Sequence, residues 1–323
     1  MTTGVDIRPY VKSFMQDNPN LLRIGKGDDP EYAEWFVKLL SHAAKGEAPI
    51  FYQDYWSLPV GYILVGDTTM PAPPTTMRLI SWNIDGIKAH FETLKKLIDD
   101  LSPEIICLQK VKEVKDSSEF ELDGYKRECN SRPYAGVITY VKNCIPCNFI
   151  KLDDPILDGH LLKTEIYYPS FTLYNIYSPY SNPSVDGAIE HRRKFDDKLN
   201  SIVCTTPDRQ IICGDMNIVA TDHDCWDGKY QRNQANFHEW ERQNFIELCC
   251  KGHLIDSFRV FHPFTKEFTY FFRNDPEVRA KNHGHRIDYF LTSRSFEPQI
   301  KRAEILKDYV ASSNNPILLE LKY

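Results

Sequence analysis

No segment of this 323-residue sequence is apolar over the length that a membrane-spanning helix needs, so we expect no membrane partner. The first residues, MTTGVDIRPY, also lack the basic stretch and the apolar stretch of a secretory signal. The nine cysteines are odd in number and scattered, which does not fit a disulfide framework. These absences predict an intracellular protein in a reducing compartment, either the nucleus or the cytoplasm.

An excess of positive charge is missing as well. The chain has 39 Lys and Arg against 45 Asp and Glu, which gives a formal net charge of −6. Proteins that coat nucleic acid through its phosphates are usually basic, so the composition argues against indiscriminate DNA binding. A local basic groove remains compatible with it, because only the field at the site matters.

A second cysteine or histidine pair is missing around Cys144 and Cys147, whose spacing is that of half a zinc or redox site. Structural zinc sites need four such ligands. We therefore expect a turn at a strand edge in this segment and not a metal site.

Residues 71–76, Pro-Ala-Pro-Pro-Thr-Thr, form the clearest boundary, since proline favours an extended linker. Residues 1–70 are rich in aromatic side chains and predict a small N-terminal domain, with a short helix over 11–15 and a longer one over 29–46. The aromatic residues indicate either a small core, or a pad docked on the main domain, or a module that binds a protein partner. The sequence leaves these possibilities open.

From residue 77 to residue 323 the pattern changes to short apolar runs that alternate with helices and loops. Such runs predict strands, and an amphipathic segment over residues 91–98 predicts a helix. Many strands with helices between them predict an α/β fold of two packed sheets covered by helices. The predicted strands are Met77–Trp82, Ile105–Leu108, Gly136–Val141, Leu161–Tyr167, Phe171–Tyr177, Gln210–Cys213, Phe268–Phe272, Ile287–Thr292 and Ile317–Leu321.

Polar side chains lie at the ends of several of these strands. Asn83 and Asp85 end the first one, and Asp215 and Asn217 end a later one. Residues two apart in an extended segment point the same way, so Asp215 and Asn217 can reach one ligand together. Asp288 begins a further strand. Buried polar groups must be satisfied, so a cluster of them predicts the floor of a functional site.

Taken together, these segments resemble the exonuclease III family of abasic-site endonucleases, within the endonuclease/exonuclease/phosphatase superfamily, over residues 77–323. The resemblance implies a four-layered α/β sandwich and magnesium-dependent phosphodiester cleavage 5′ to an abasic site. It also implies DNA as the partner, either duplex, abasic or nicked. The matching motifs are Ser81–Gly86, Cys107–Gln109, Tyr134–Val137, Asp158-Gly159, Tyr177–Pro179, Cys213–Asn217, Glu241–Gln243 and Gly284–Leu291.

The resemblance assigns roles to individual residues as well. In such enzymes a divalent metal polarises the phosphate, an Asp and an Asn orient or activate the attacking water, and a His–Asp pair manages protons. The matched positions are Asn83 and Asp85 in the first motif, Tyr177 on the phosphate side, Asp215 and Asn217 for the water, and Asp288 for orienting the catalytic histidine.

Three positions depart from the family's pattern. Lys110 stands where a metal-binding carboxylate is expected, because Leu108 and Lys112 fix the register on both sides. Ser313 replaces an aspartate near the metal, and Asn314 replaces the histidine. An ammonium in place of a carboxylate disfavours a dication, and asparagine cannot transfer a proton near pH 7. We therefore expect abasic-site cleavage to be lost.

The expected DNA contacts depart as well. The aromatic pair that closes on the sugar aligns with Glu267 and His285, which predicts a polar pocket wall. Arg192, Arg193 and Arg232 either face phosphates or are solvated surface charges. The residues predicted to contact nucleic acid are Tyr134, His160 (in place of an arginine), Arg193, Gln231, Gln234 and His285.

These departures predict a pseudonuclease that keeps the fold as a scaffold for nucleic acid or protein and needs no cofactor. Lys110 would take the metal's position and pair with Asp85, Asp215 or Asp288. Asn314 would hydrogen-bond Asp288. One alternative is an Mg²⁺-dependent phosphodiesterase of weak or altered activity, whose relocated metal is held by Asp85 and Asp215. Another is a protein-binding subunit that docks through its N-terminal domain.

Overall fold

The computed structural model describes a defined part of the chain, namely residues 21–25, 60–64, 76–112, 120–167, 169–206, 208–227 and 234–323. The chain divides into two compact units. The larger unit comprises Thr75–Asn143, Cys147–Glu165 and Phe171–Tyr323.

The smaller unit contains two strands, β1 (Leu21–Gly25) and β2 (Val60–Leu64), which pair antiparallel with Leu21 opposite Leu64. The sequence did not predict them. The helices predicted over 11–15 and 29–46 lie outside the described residues.

The first of two large sheets has six strands and mixed pairing. In their order across the sheet, the strands are β13 (Ile300–Ile305), β14 (Ile317–Lys322), β3 (Thr76–Asn83), β4 (Ile105–Gln109), β6 (Ala135–Lys142) and β5 (Tyr125–Arg132). The central pair, β3 and β4, is parallel, so both strands end at the same edge. The other neighbours pair antiparallel.

The second large sheet is also six-stranded and mixed. Its order is β11 (Leu254–Asp256), β12 (Asp288–Ser293), β10 (Gln210–Asp215), β9 (Ser170–Tyr177), β8 (Leu161–Tyr167) and β7 (Cys147–Ile150). Here β9 and β10 are the parallel pair, and β12 runs antiparallel to β10.

Helices cover the sheets because each helix has an apolar face to bury. Leu94 and Leu97 of α1 (Ile87–Leu101) pack in a core with Trp82 of the first sheet. On the second sheet, α2 (Ala188–Thr205) and α3 (Glu239–Lys251) pack in a core with side chains of β9, β10 and β12. Two sheets between helices confirm the predicted fold class. None of the described helices is long and apolar enough to cross a membrane.

A buried polar link joins the two sheets. Gln109 at the end of β4 donates through Nε2 to Asn175 Oδ1 of β9 at 2.8 Å, and Asn175 Nδ2 donates to the Ile138 carbonyl at 2.8 Å. Both side chains are fully buried. Leaving one partner unpaired there would cost about 1–3 kcal/mol, so the link fixes how the two strand ends face each other.

Two kinds of strand prediction were wrong. Phe268–Phe272 was predicted as a strand, but only Tyr270 forms isolated bridges, to His285 on one side and Asn314 on the other. Phe268 and Phe271 are buried, so this apolar run reflects packing and not a strand in a sheet. The sequence also missed β5, β7, β11 and β13. Short strands such as β11, and sheet-edge strands with charged side chains such as β5, resemble loops in sequence.

Candidate functional site

The polar residues that the sequence placed at strand ends converge at one edge of the two sheets. Asn83 ends β3, Tyr177 ends β9 and Asp215 ends β10. In the second sheet, Asp215 lies directly opposite Tyr177 on one side and Asp288 on the other. The ends of these strands therefore bring together side chains that are more than 200 residues apart in the chain.

Asp215 is the buried centre of this cluster. Its Oδ2 accepts from Asn83 Nδ2 at 2.7 Å, and its Oδ1 accepts from the Asn217 backbone N–H at 2.9 Å. Burial raises the pKa of the Asp215 carboxyl to about 6, although these two donors oppose the rise. Asn217 Nδ2 donates to the Ser178 carbonyl at 2.8 Å. Asn217 has a φ of 46°, a costly conformation that persists only where the surroundings fix it.

Lys110 and Lys112 both point their ammonium groups at one carboxylate. Lys110 Nζ lies 3.0 Å and Lys112 Nζ lies 3.4 Å from Asp85 Oδ1. Burial raises the pKa of Asp85, but the two lysines outweigh burial and hold it below its usual range. All three residues have positive φ values, of 50°, 52° and 64° in chain order. Three carboxylates were proposed as partners of Lys110, and the structure shows that its ion pair is with Asp85.

This donor set does not fit a divalent cation. A dication beside Asp85 would face the Lys110 ammonium, and a double and a single positive charge 4 Å apart repel by about 8 kcal/mol at an effective dielectric near 20. Asp215 has a hydrogen-bond donor on each of its oxygens. Within the described ranges, no group of three or more His, Cys, Asp or Glu could hold a metal.

The segment before β14 closes the site from the other side. Asn314 Nδ2 donates to Asp288 Oδ2 at 2.8 Å, which confirms the predicted contact. Burial and the nearby Asp215 raise the pKa of Asp288 well above its usual range. Ser312 Oγ donates to the Asn83 carbonyl at 2.7 Å. Ser313 accepts through its carbonyl from the Phe271 N–H at 2.9 Å.

A pocket of about 500 Å³ opens over part of this cluster, at Asn83, Lys110 and Asp215. The pKa of Tyr177 is raised by burial and by the Asp215 carboxylate, so its hydroxyl stays protonated at neutral pH and can donate. The polar lining residues are Asn83, Lys110, Tyr177, Asp215, Asn217, Gln234 and Asn236, and the aromatic side chains are Tyr180, Trp226, Phe237, Tyr270, Phe272, His283 and His285.

The polar pocket wall predicted from Glu267 and His285 was wrong. His285 lines the pocket, but Glu267 pairs with Lys307 at 3.2 Å and is not part of the lining. Tyr270 takes the place beside His285, with ring centroids 6.2 Å apart. The isolated bridge between these two residues sets this alignment, which spacing in the sequence does not reveal.

The residues predicted to contact nucleic acid are dispersed. Gln234 and His285 line the pocket, whereas Tyr134, His160 and Arg193 do not. Tyr134 is 88% exposed on the turn between β5 and β6. Arg193 stacks on Trp240, with its guanidinium carbon 4.0 Å from the ring centroid. Gln231 and Arg232 lie outside the described residues.

Arg192, considered for a phosphate contact, is instead buried and only 3% exposed. Its guanidinium donates to the Met216 carbonyl at 2.9 Å and to the Pro179 carbonyl at 3.0 Å. It thereby holds the two loops that follow β9 and β10. The sequence did not indicate this role of Arg192, because the carbonyl groups that accept its hydrogen bonds lie in other segments of the chain.

Two partly buried histidines, His160 and His285, make stability depend on pH. Burial lowers the pKa of both His160 and His285 to about 4, and the ring of His160 contacts the Tyr177 carbonyl at 2.6 Å. Below about pH 6.5 these two histidines become protonated in the unfolded chain, whereas in the folded chain they stay neutral until the pH nears 4. Their contribution to stability is therefore complete above about pH 6.5 and is lost as the pH falls towards 4.

We expect the free energy of unfolding to fall by roughly 2–3 kcal/mol per histidine between pH 7 and pH 4.5. Urea unfolding at a series of pH values measures this. His160→Gln should flatten the dependence, while His223→Gln, at an exposed position, should leave it as it is. An unchanged slope in His160→Gln would contradict the assignment.

The fold and the site together define an α/β sandwich protein with a carboxylate–amide pocket at the ends of its central strands. Residues 80–308 match the Endonuclease/Exonuclease/phosphatase family, and the chain belongs to it. Its relatives are of the exonuclease III and AP endonuclease type, as the motifs indicated.

Two curated relatives cover most of the chain. An exodeoxyribonuclease of Bacillus subtilis is 27% identical over 75% of this chain and 98% of its own length. The DNA repair nuclease APEX1 of Danio rerio is 28% identical over 85% of this chain and 89% of its own. A solved 3′ phosphatase from Neisseria, bound to a product DNA hairpin, shares the fold with a TM-score of 0.69 at 21% identity, over 76% of this chain and 100% of that one.

Proposed function

We propose that this protein is a pseudonuclease that binds nucleic acid through its pocket and neither cleaves it nor needs a divalent metal. The observation that supports this most directly is the Lys110–Asp85 ion pair of 3.0 Å, with Lys112 on the same oxygen. The two ammonium groups exceed the charge of that carboxylate by one unit. A phosphate oxygen, and not a cation, complements this arrangement.

The remaining polar groups support phosphate binding without chemistry. Tyr177 offers a protonated hydroxyl, and Asn83 and Asn217 are held in place by hydrogen bonds. At the position where the resemblance expects a histidine, Asn314 donates its amide to Asp288 and has no proton to exchange near pH 7. These contacts support a site that holds a phosphodiester, with an asparagine at position 314 that cannot transfer a proton. Residues 1–70 are proposed to bind a protein partner.

A paired gel assay tests this proposal. The protein is incubated with duplex DNA that bears an abasic analogue, with Mg²⁺, with Mn²⁺ or with EDTA, and nicking and retention are scored together. We expect retention without nicking, unchanged by EDTA. Nicking well above background would overturn the proposal in favour of a weak phosphodiesterase, with a metal at Asp85 and Asp215. The absence of both nicking and retention would overturn it in favour of a protein-binding subunit.

The variant Lys110→Met distinguishes DNA binding at this site from nonspecific attraction to lysines elsewhere on the surface. Loss of one phosphate contact should weaken retention and lower the slope of log affinity against log salt by about 0.9. Lys301→Met removes an exposed lysine on β13 and serves as the matched control, with no change in slope expected. Equal slopes for the two variants would contradict a phosphate contact at Lys110.

A further inference from the structure

The pocket has an aromatic wall, formed by Trp226, Tyr270, Phe272, His283 and His285. Trp226 and His283 stack with ring centroids 4.0 Å apart and planes 18° apart. Tyr270 and His285 stack at 6.2 Å and 27°. The wall thus presents two stacked aromatic pairs, where the sequence predicted a polar surface.

Backbone hydrogen bonds hold the aromatic wall in position. The Trp226 N–H donates to the Gly284 carbonyl at 3.1 Å, and Tyr270 and His285 exchange two backbone hydrogen bonds, at 2.8 and 2.9 Å. A Cβ added at Gly284 would lie 2.7 Å from both Phe268 and Phe271, so a larger residue cannot replace this glycine without a shift. The backbone that carries Trp226, Tyr270 and His285 is therefore fixed before a ligand arrives, which reduces the entropic cost of binding.

Part of this aromatic surface is open to solvent. Phe272 is 58% exposed, Tyr180 51% and Trp226 39%, and all three line the same pocket. Apolar side chains gathered in this way around a concave polar site mark a binding surface. An abasic sugar has no flat face to place against such rings, whereas a nucleobase has one.

Two buried hydrogen-bonding atoms, in residues that line the pocket, lack a partner among the described residues. Asn236 is only 6% exposed, and its Oδ1 is one of them. The other is Nε2 of His285. An unpaired buried polar atom is costly unless a ligand satisfies it. The edge of a nucleobase presents donors and acceptors that suit an asparagine amide.

From these observations we infer that the pocket holds a nucleotide that retains its base. The base lies against the aromatic wall with its edge towards Asn236, and the phosphate lies near Lys110. This inference rests on the proposed function and names its ligand class as single-stranded or extrahelical DNA with intact bases. A pocket of about 500 Å³ is within the usual range of small-ligand sites, ~300–1,000 Å³.

The test compares two oligonucleotides with the same number of phosphates. One is oligo(dT), and the other carries an abasic analogue at every position. Affinities are measured by fluorescence anisotropy in EDTA. We expect oligo(dT) to bind at least about tenfold more tightly, as stacking on an aromatic platform provides. Phe272→Ala and Trp226→Leu should each reduce this difference. Phe264→Ala, a 77% exposed ring outside the pocket, should preserve it.

The possible outcomes separate this inference from the proposed function. Equal affinity for both oligonucleotides, with binding still weakened in Lys110→Met, would overturn the nucleobase site and leave phosphate binding intact. No binding of either would overturn both. A difference that persists in Trp226→Leu and Phe272→Ala would overturn the aromatic wall as its cause. Because Phe272 is mostly exposed, its variant keeps the test valid if Trp226→Leu fails to fold.

Discussion

The triple variant Lys110→Glu, Ser313→Asp and Asn314→His should nick abasic-site DNA in the presence of Mg²⁺ at least ~10²-fold faster than the unmodified protein. These are the three positions at which the resemblance predicts a departure from the acid–base and metal-binding pattern of the family. Each change introduces the chemical group that the resemblance expects, beside Asp215, Asn217 and Asp288, which match the expected pattern. The expected gain is the lower end of what one member of a catalytic set contributes, ~10²–10⁴ in rate.

The geometry favours recovery. Asn314 Nδ2 already lies 2.8 Å from Asp288 Oδ2, so a histidine there starts beside the aspartate that would orient it. Lys110→Glu removes the ammonium 3.0 Å from Asp85 and adds a carboxylate. Asp215 and Asn217 keep their mutual hydrogen bond of 2.9 Å. The magnesium affinity of Lys110→Glu alone, measured by titration, should exceed that of the unmodified protein.

The controls for this experiment use the same background. Each single variant should show little activity, because groups that act as one set do not contribute additively. Adding Asp215→Asn to the triple variant should abolish the gain and exclude a contaminating nuclease. A folded triple variant that binds magnesium and retains DNA but does not nick it would contradict the prediction that these three positions account for the proposed lack of cleavage.

The fold could be predicted from sequence where strands are buried. Leu79, Ile80 and Trp82 of β3 are all inaccessible to solvent, and such continuous apolar runs are diagnostic. Edge strands were missed because one face of the strand, and one row of its backbone groups, meet solvent. β5 reads Tyr-Lys-Arg-Glu-Cys-Asn-Ser-Arg, with four charged side chains in eight residues. Composition alone does not distinguish such a strand from a loop.

The site could be predicted only in part, for a related reason. Asn83, Asp215 and Asp288 follow or begin apolar strands, so topology places them at one edge. Trp226 and Asn236 belong to loops that reach the pocket through isolated backbone contacts, such as the bond from Trp226 to the Gly284 carbonyl. No periodicity encodes such contacts. The residue type in a loop therefore indicated which interactions the side chain could make, but not whether the side chain faced the pocket.

The second large effect is on stability, at Arg192. We expect Arg192→Met to lower the free energy of unfolding by roughly 3–5 kcal/mol, the usual result of removing one partner from a buried ion pair. Its guanidinium donates to Asp196 Oδ1 at 2.8 Å and lies 3.9 Å from Glu241 Oε1. Both carboxylates are buried and would be left without this cation. Urea unfolding at pH 7 measures the loss.

Arg193→Met is the matched control, because it removes the next guanidinium along α2 at an exposed position stacked on Trp240. Exposed charges contribute little, so a loss below about 1 kcal/mol is expected. Adding Asp196→Leu to Arg192→Met should recover part of the stability, since an unpaired buried carboxylate disappears. Equal losses for Arg192→Met and Arg193→Met would show that the buried guanidinium does not hold these loops. A large loss confined to Arg192→Met would show that the loops of the pocket depend on a single buried cation.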